Sequence, residues 1–123
     1  MKATKKILVV DDDPGISEML KTLLEFSGYS VAVTQNAGTT QAEAENGDVD
    51  LVVLDMLISG IDGTEVCSKL RHNKKTCKIP ILMMSAHQEA GEKCLEAGAD
   101  DFIAKPFEME DFLNKVNRVM IGA

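Results

Sequence analysis

The chain has 123 residues, of which 45% are hydrophobic and 27% charged, the proportions of one soluble globular domain large enough to bury a core. Its formal net charge of −7 argues against nucleic acid as a direct partner, because a phosphate backbone selects a basic surface. No apolar stretch approaches membrane-spanning length and the N-terminus lacks a signal-peptide pattern, so no membrane partner is expected. The three cysteines (Cys67, Cys77 and Cys94) are odd in number and form no C-x-x-C pair, which suits free thiols in a reducing, cytoplasmic location.

Lys6 to Val10 is apolar and β-branched and predicts a buried first strand. Asp11-Asp12-Asp13-Pro14 follows, with Pro14 suited to the first helical position and Asp13 to the N-cap. Ile16, Met19, Leu20, Leu23 and Leu24 make a helical stripe that Gly28 ends. Tyr29 to Thr34 predicts a second strand and Gly38 to Asn46 a weak, alanine-containing helix. Leu51 to Leu54 is a short apolar run that stops at Asp55, the pattern of a strand buried on both faces. A loop with two glycines leads to a helix over about Gly63 to His72, with Val66, Cys67 and Leu70 inward. Ile79 to Met84 predicts strand four, with Pro80 tolerated near its start and Ser85-Ala86 closing it. Gln88 to Ala97 predicts helix four, with Gly91 inside it and Gly98 ending it. Asp101 to Ala104 is a short fifth strand, and a last helix runs from about Glu108 to Met120 with Met109, Phe112, Leu113, Val116 and Met120 on one face. Five strands alternating with five helices demand a doubly wound α/β fold: a five-stranded parallel sheet, helices on both faces and right-handed crossovers.

In such a sheet the carboxyl ends of strands one, three, four and five gather at one edge, where ligands bind. That collects Asp11, Asp12, Asp55, Ser85 and Lys105. Each alone has an ordinary reading: a strand-closing aspartate, a loop serine, a solvated lysine. Their coincidence at four strand ends points to a site. Three carboxylates repel unless a cation joins them, and one lysine is too few. Hard oxygen donors with room for water select Mg²⁺, which takes about six oxygens at roughly 2.0–2.1 Å. Carboxylates, hydroxyl, lysine and Mg²⁺ together suit a phosphoryl group, with Asp55 as the nucleophile that accepts it.

These residues sit in motifs that resemble one family, the receiver domains of two-component response regulators. The motifs are Ile7-Leu8-Val9-Val10-Asp11-Asp12-Asp13, Leu54-Asp55 through Asp62-Gly63, Met84-Ser85-Ala86, Gly98-Ala99-Asp100-Asp101-Phe102 and Lys105-Pro106-Phe107, and they cover essentially the whole chain. The resemblance implies a flavodoxin-like sheet of order 2-1-3-4-5 and a single receiver domain over residues 1–123. It implies Asp55 as phosphoacceptor, Asp11, Asp12, Asp55 and the Leu57 backbone carbonyl around Mg²⁺, and Lys105 on a phosphoryl oxygen. Ser85 and Phe102 are then the switch pair, and Lys105-Pro106 a cis peptide. The implied partners are a sensor histidine kinase or phosphotransfer protein and a downstream protein target or output domain, with a phosphorylation-dependent homodimer as a further form. No enzyme activity is implied beyond phosphorylation and dephosphorylation of Asp55 itself. The chain is then either a stand-alone receiver or one part of a longer regulator or hybrid kinase.

The chain departs from the family pattern at a few positions. Ser59 occupies a position where proline is common and Ile58 one where methionine is, which implies a less rigid loop after Asp55, and Leu57 and His87 occupy positions that tune dephosphorylation. A phosphatase of the haloacid dehalogenase type also places an aspartate nucleophile after a buried strand, but it needs a second acid where this chain has Leu57. A pseudo-receiver that only binds protein is disfavoured by the intact acceptor, acid pair, Ser85 and Lys105.

Overall fold

The computed structural model describes residues 4–122. Five strands, β1 (Lys6–Val10), β2 (Ser30–Thr34), β3 (Leu51–Asp55), β4 (Ile81–Ser85) and β5 (Asp101–Ala104), form one sheet. Five helices follow them in turn: α1 (Pro14–Phe26), α2 (Thr40–Asn46), α3 (Gly63–Arg71), α4 (Gly91–Glu96) and α5 (Met109–Gly122). The sheet order is β2-β1-β3-β4-β5 and every neighbouring pair is parallel. This is the doubly wound, flavodoxin-like arrangement.

The central strands are largely apolar because both faces of the sheet are covered; every residue of β3 and β4 is buried. Alternate side chains serve opposite faces. Leu8, Val10, Val52, Leu54 and Met83 pack with Ala44, Val66, Cys67, Leu70 and Cys94, which places α2, α3 and α4 on one side. Ile7, Val9, Leu51, Val53, Leu82 and Met84 pack with Leu20, Leu24, Phe112 and Val116, which places α1 and α5 on the other. Cys67 and Cys94 behave as small hydrophobes, and burial pushes the Cys67 thiol up to about 11.

Several boundaries differ from the sequence expectation. β4 starts at Ile81 because Pro80 has no N–H for the ladder, although its carbonyl still accepts from the Val52 N–H at 3.0 Å. The strand ends at Ser85, and β3 likewise runs on through Asp55, paired with Met84. The segments expected as helices two and four each begin with a 3₁₀ turn, Ala37–Thr39 and Gln88–Ala90, so Gly91 stands at the first residue of α4 rather than inside a longer helix. Met109, expected in the buried stripe of α5, is the helix's first residue and is 55% exposed. Phe107 takes that place, its ring stacked on Phe112 with centroids 5.2 Å apart. The loop after β3 holds an element periodicity did not reveal, a two-stranded antiparallel hairpin of Leu57–Ile58 and Ile61–Asp62.

Candidate functional site

β1 is flanked by β2 and β3, so successive connections leave it towards opposite edges of the sheet, the topological switch point at which open parallel sheets bind ligands. Asp11 and Asp12 lie just beyond β1, Asp55 closes β3, Ser85 closes β4 and Lys105 follows β5. All five therefore meet at one edge.

Carboxylate oxygens of Asp11, Asp12 and Asp55 lie within 4.8 Å of one another, with Asp11 and Asp55 buried and Asp12 half-buried. Lys105 Nζ stands 3.2 Å from Asp11 Oδ2 and 3.2 Å from Asp55 Oδ2. Burial pushes the Asp55 carboxyl up from its ordinary value; Lys105 opposes the shift and Asp11 adds to it. Burial pulls Lys105 down, but Asp55 and Asp11 outweigh it and hold the ammonium above its usual range. One ammonium facing three carboxylates leaves negative charge uncompensated. The set of hard oxygen donors therefore fits a divalent cation such as Mg²⁺.

Local geometry fixes each member. The Asp11 main-chain N–H donates to the Thr34 carbonyl at 3.2 Å, its carbonyl accepts from Ser17 Oγ at 2.9 Å, and its Oδ1 accepts from the Asp13 N–H at 2.9 Å. Asp13 caps α1, accepting from the N–H groups of Gly15 and Ile16, so it belongs to the helix rather than to the acidic cluster. Gly63 packs directly on the Asp55 main chain. A Cβ there would stand 2.1 Å from the Asp55 carbonyl oxygen, so only glycine fits.

Leu57 lies in the first strand of the hairpin, two residues after Asp55. Its side chain is 62% exposed. Leu57 lies opposite Asp62, while the flanking Gly63 N–H donates to the Met56 carbonyl. Antiparallel alternation then puts Leu57 in a non-hydrogen-bonded pair and leaves its carbonyl outside the ladder. The Ser59-Gly60 turn is not the loose loop implied by the loss of proline. The Ser59 N–H and Oγ both donate to Asp12 Oδ2, at 2.6 and 3.2 Å. The missing proline was the only sign of this contact in the sequence.

Ser85 is 2% exposed; its Oγ accepts from the His87 N–H at 3.0 Å and its carbonyl from the Lys105 N–H at 2.7 Å. His87 itself is exposed. The Lys105–Pro106 peptide is cis. Phe102 is half-buried against the α2–α3–α4 side of the core, and a Cβ on Gly91 would come within 3.2 Å of its ring.

The family model for the response regulator receiver domain matches residues 7–117. The chain belongs to this family. Receiver domains of response regulators act as phosphorylation-dependent switches in two-component systems. Among curated relatives, the transcriptional regulatory protein PhoP of alkaline phosphatase synthesis in Bacillus subtilis is 41% identical over 118 residues, covering 94% of the chain and 48% of that protein. The DNA-binding dual master transcriptional regulator RpaA of Synechocystis is 37% identical over 117 residues, with the same coverage. The receiver thus spans about half the length of these relatives. Among solved structures, a putative response regulator from Chloroflexus aurantiacus superposes with a TM-score of 0.90 at 32% identity, covering 96% of this chain and 98% of that one. A CheY-like receiver domain protein from Methanospirillum hungatei gives 0.89 at 33%, covering 98% and 96%. Among the described residues of this receiver domain, no helix is long and apolar enough to cross a membrane.

Proposed function

We propose that Asp55 accepts a phosphoryl group from a sensor histidine kinase or phosphotransfer protein, with Mg²⁺ held by Asp11, Asp12, Asp55 and the Leu57 carbonyl. The observation that carries this reading is the buried carboxylate cluster bridged on one side by Lys105. An Asp55 oxygen attacks phosphorus, an O–P bond forms, and the bond from phosphorus to the donor's imidazole nitrogen breaks, its electron pair staying on nitrogen. The chemistry Mg²⁺ supplies when bound is charge compensation for the phosphoryl oxygens. Lys105, already beside Asp55, donates to one of those oxygens.

Ser85 Oγ then turns from the His87 N–H to the phosphoryl group, and Phe102 turns inward behind it. The surface of α4, β5 and α5 changes with that pair and is read by a downstream protein target or output domain, or by a second copy of the chain. The transcriptional regulators among the relatives support an output domain as the reader. Residues 1–123 are one receiver domain in this reading, and its own phosphorylation and dephosphorylation are its only chemistry.

Intact mass after incubation with Mg²⁺ and a small phosphodonor tests it. A single phosphoryl adduct, absent from Asp55→Asn and from a chelated sample, is the expected result. A chain that stays unmodified while the same donor phosphorylates another receiver would instead support a pseudo-receiver that works by binding alone.

A further inference from the structure

Ser59 and Gly60 form the two-residue turn between Leu57–Ile58 and Ile61–Asp62, with φ of +51° and +83°. Positive φ at both central residues is the requirement of a type I′ hairpin turn, which glycine and asparagine meet easily. For serine the left-handed region is uncommon and needs a local reason. The reason is on Asp12: the Ser59 N–H and hydroxyl converge on one carboxylate oxygen, Oδ2, from 47 residues away in sequence. Both bonds are charge-assisted. Proline, which has no N–H and a fixed negative φ, can supply neither bond nor this turn.

Asp12 belongs to the group of three carboxylates placed to hold a cation. A ligating carboxylate works best when a second partner fixes its orientation. We propose that Ser59 is a positioning residue for the cation site: it holds Asp12 through Oδ2 and leaves the other oxygen for Mg²⁺, tying the loop after β1 to the hairpin that carries Leu57. The inference rests on the reading of Asp11, Asp12 and Asp55 as the Mg²⁺ site. It makes cation binding and hairpin geometry one event, because the strained serine and the ligand share a bond.

The tether itself is read without metal. In the metal-free chain the Ser59 amide proton resonates in the hydrogen-bonded range by NMR, and Asp12→Ala moves it towards the free-amide range. Mg²⁺ affinity is then titrated calorimetrically, without a phosphodonor, in chains whose urea unfolding shows them folded. Ser59→Pro binds Mg²⁺ about tenfold more weakly or worse, the range for loss of an orienting partner. Ser59→Gly, which keeps the N–H and the turn, stays within about threefold of the parent. A Ser59→Pro chain that binds Mg²⁺ as tightly as the parent, or tighter, overturns the proposal, as does an amide unmoved by Asp12→Ala. A parent chain that binds no Mg²⁺, with the amide shift intact, instead removes the cation-site reading on which the proposal stands.

Discussion

Asp55 sits where the chemistry wants it and where stability does not. It is 8% exposed, and burial raises its carboxyl pKa despite Lys105 at 3.2 Å. The folded protein therefore holds this proton more tightly than the unfolded chain does. The contribution to stability is fully present below the ordinary value of 3.8 and is lost as pH rises through the raised folded value. At neutral pH the ionised, buried side chain is a net cost. Asp55→Asn, uncharged at every pH, is expected to be more stable than the parent at neutral pH without metal, by about 0.5–2 kcal/mol. The gap should narrow as pH falls towards the ordinary value of 3.8, because the raised folded-state carboxyl takes up its proton ahead of the unfolded one. Urea midpoints at the two pH values measure it. An equal gap at both would show that ionisation of Asp55 is not its source.

At the scale of elements, the turns on the far side of α3 are held by one side chain. Arg71, the last residue of α3, donates to the carbonyls of Gly98 at 2.7 Å, Cys77 at 3.2 Å and Ile79 at 2.5 Å, and to Asp100 Oδ2 at 2.6 Å. That same Asp100 oxygen accepts the Ile81 N–H at 2.8 Å, so Arg71 ties the start of β4 to the turn before β5. Arg71→Ala should cost about 2–3 kcal/mol in chemical unfolding, because three carbonyl groups lose this donor and the Asp100 carboxylate keeps only the Ile81 N–H. Arg71→Lys should recover little of this, since an ammonium cannot span the fork. Full recovery in the lysine variant would reduce the latch to a simple charge contact. This latch was not legible in the chain, because Arg71 reads as an ordinary cation at a helix C-terminus. The elements themselves were legible, since buried parallel strands are nearly continuous apolar runs and α1 and α5 carry clear stripes. What periodicity missed are side-chain meetings that no repeat encodes: Ser59 with Asp12 47 residues away, Gly91 under the Phe102 ring, and Phe107 taking the place of Met109. The site was legible because strand ends in a parallel sheet collect at one edge, so Asp11, Asp12, Asp55, Ser85 and Lys105 needed only topology to be assembled.

The whole molecule carries a formal charge of −7, and three of its carboxylates gather at one end of the sheet. A cation bound there favours the folded state, because the three carboxylates come together only when β1 and β3 pair. Stability should therefore rise with Mg²⁺, by about 1.4 kcal/mol when free ion is tenfold above its dissociation constant. Any salt also screens the repulsion of an acidic surface, so the control is sodium chloride at matched ionic strength. Specific binding predicts that Mg²⁺ raises the urea midpoint well beyond sodium and that Asp55→Asn shifts the onset to higher Mg²⁺. Screening alone predicts matching curves for the two salts and the same curves in the variant. The two mechanisms also differ with concentration. Site binding keeps adding stability in proportion to the logarithm of free Mg²⁺ once the site is filled, whereas screening flattens as the Debye length falls below the spacing of the surface charges. A midpoint that tracks ionic strength alone would place the stabilisation on the general acidic surface and take the cation away from Asp11, Asp12 and Asp55.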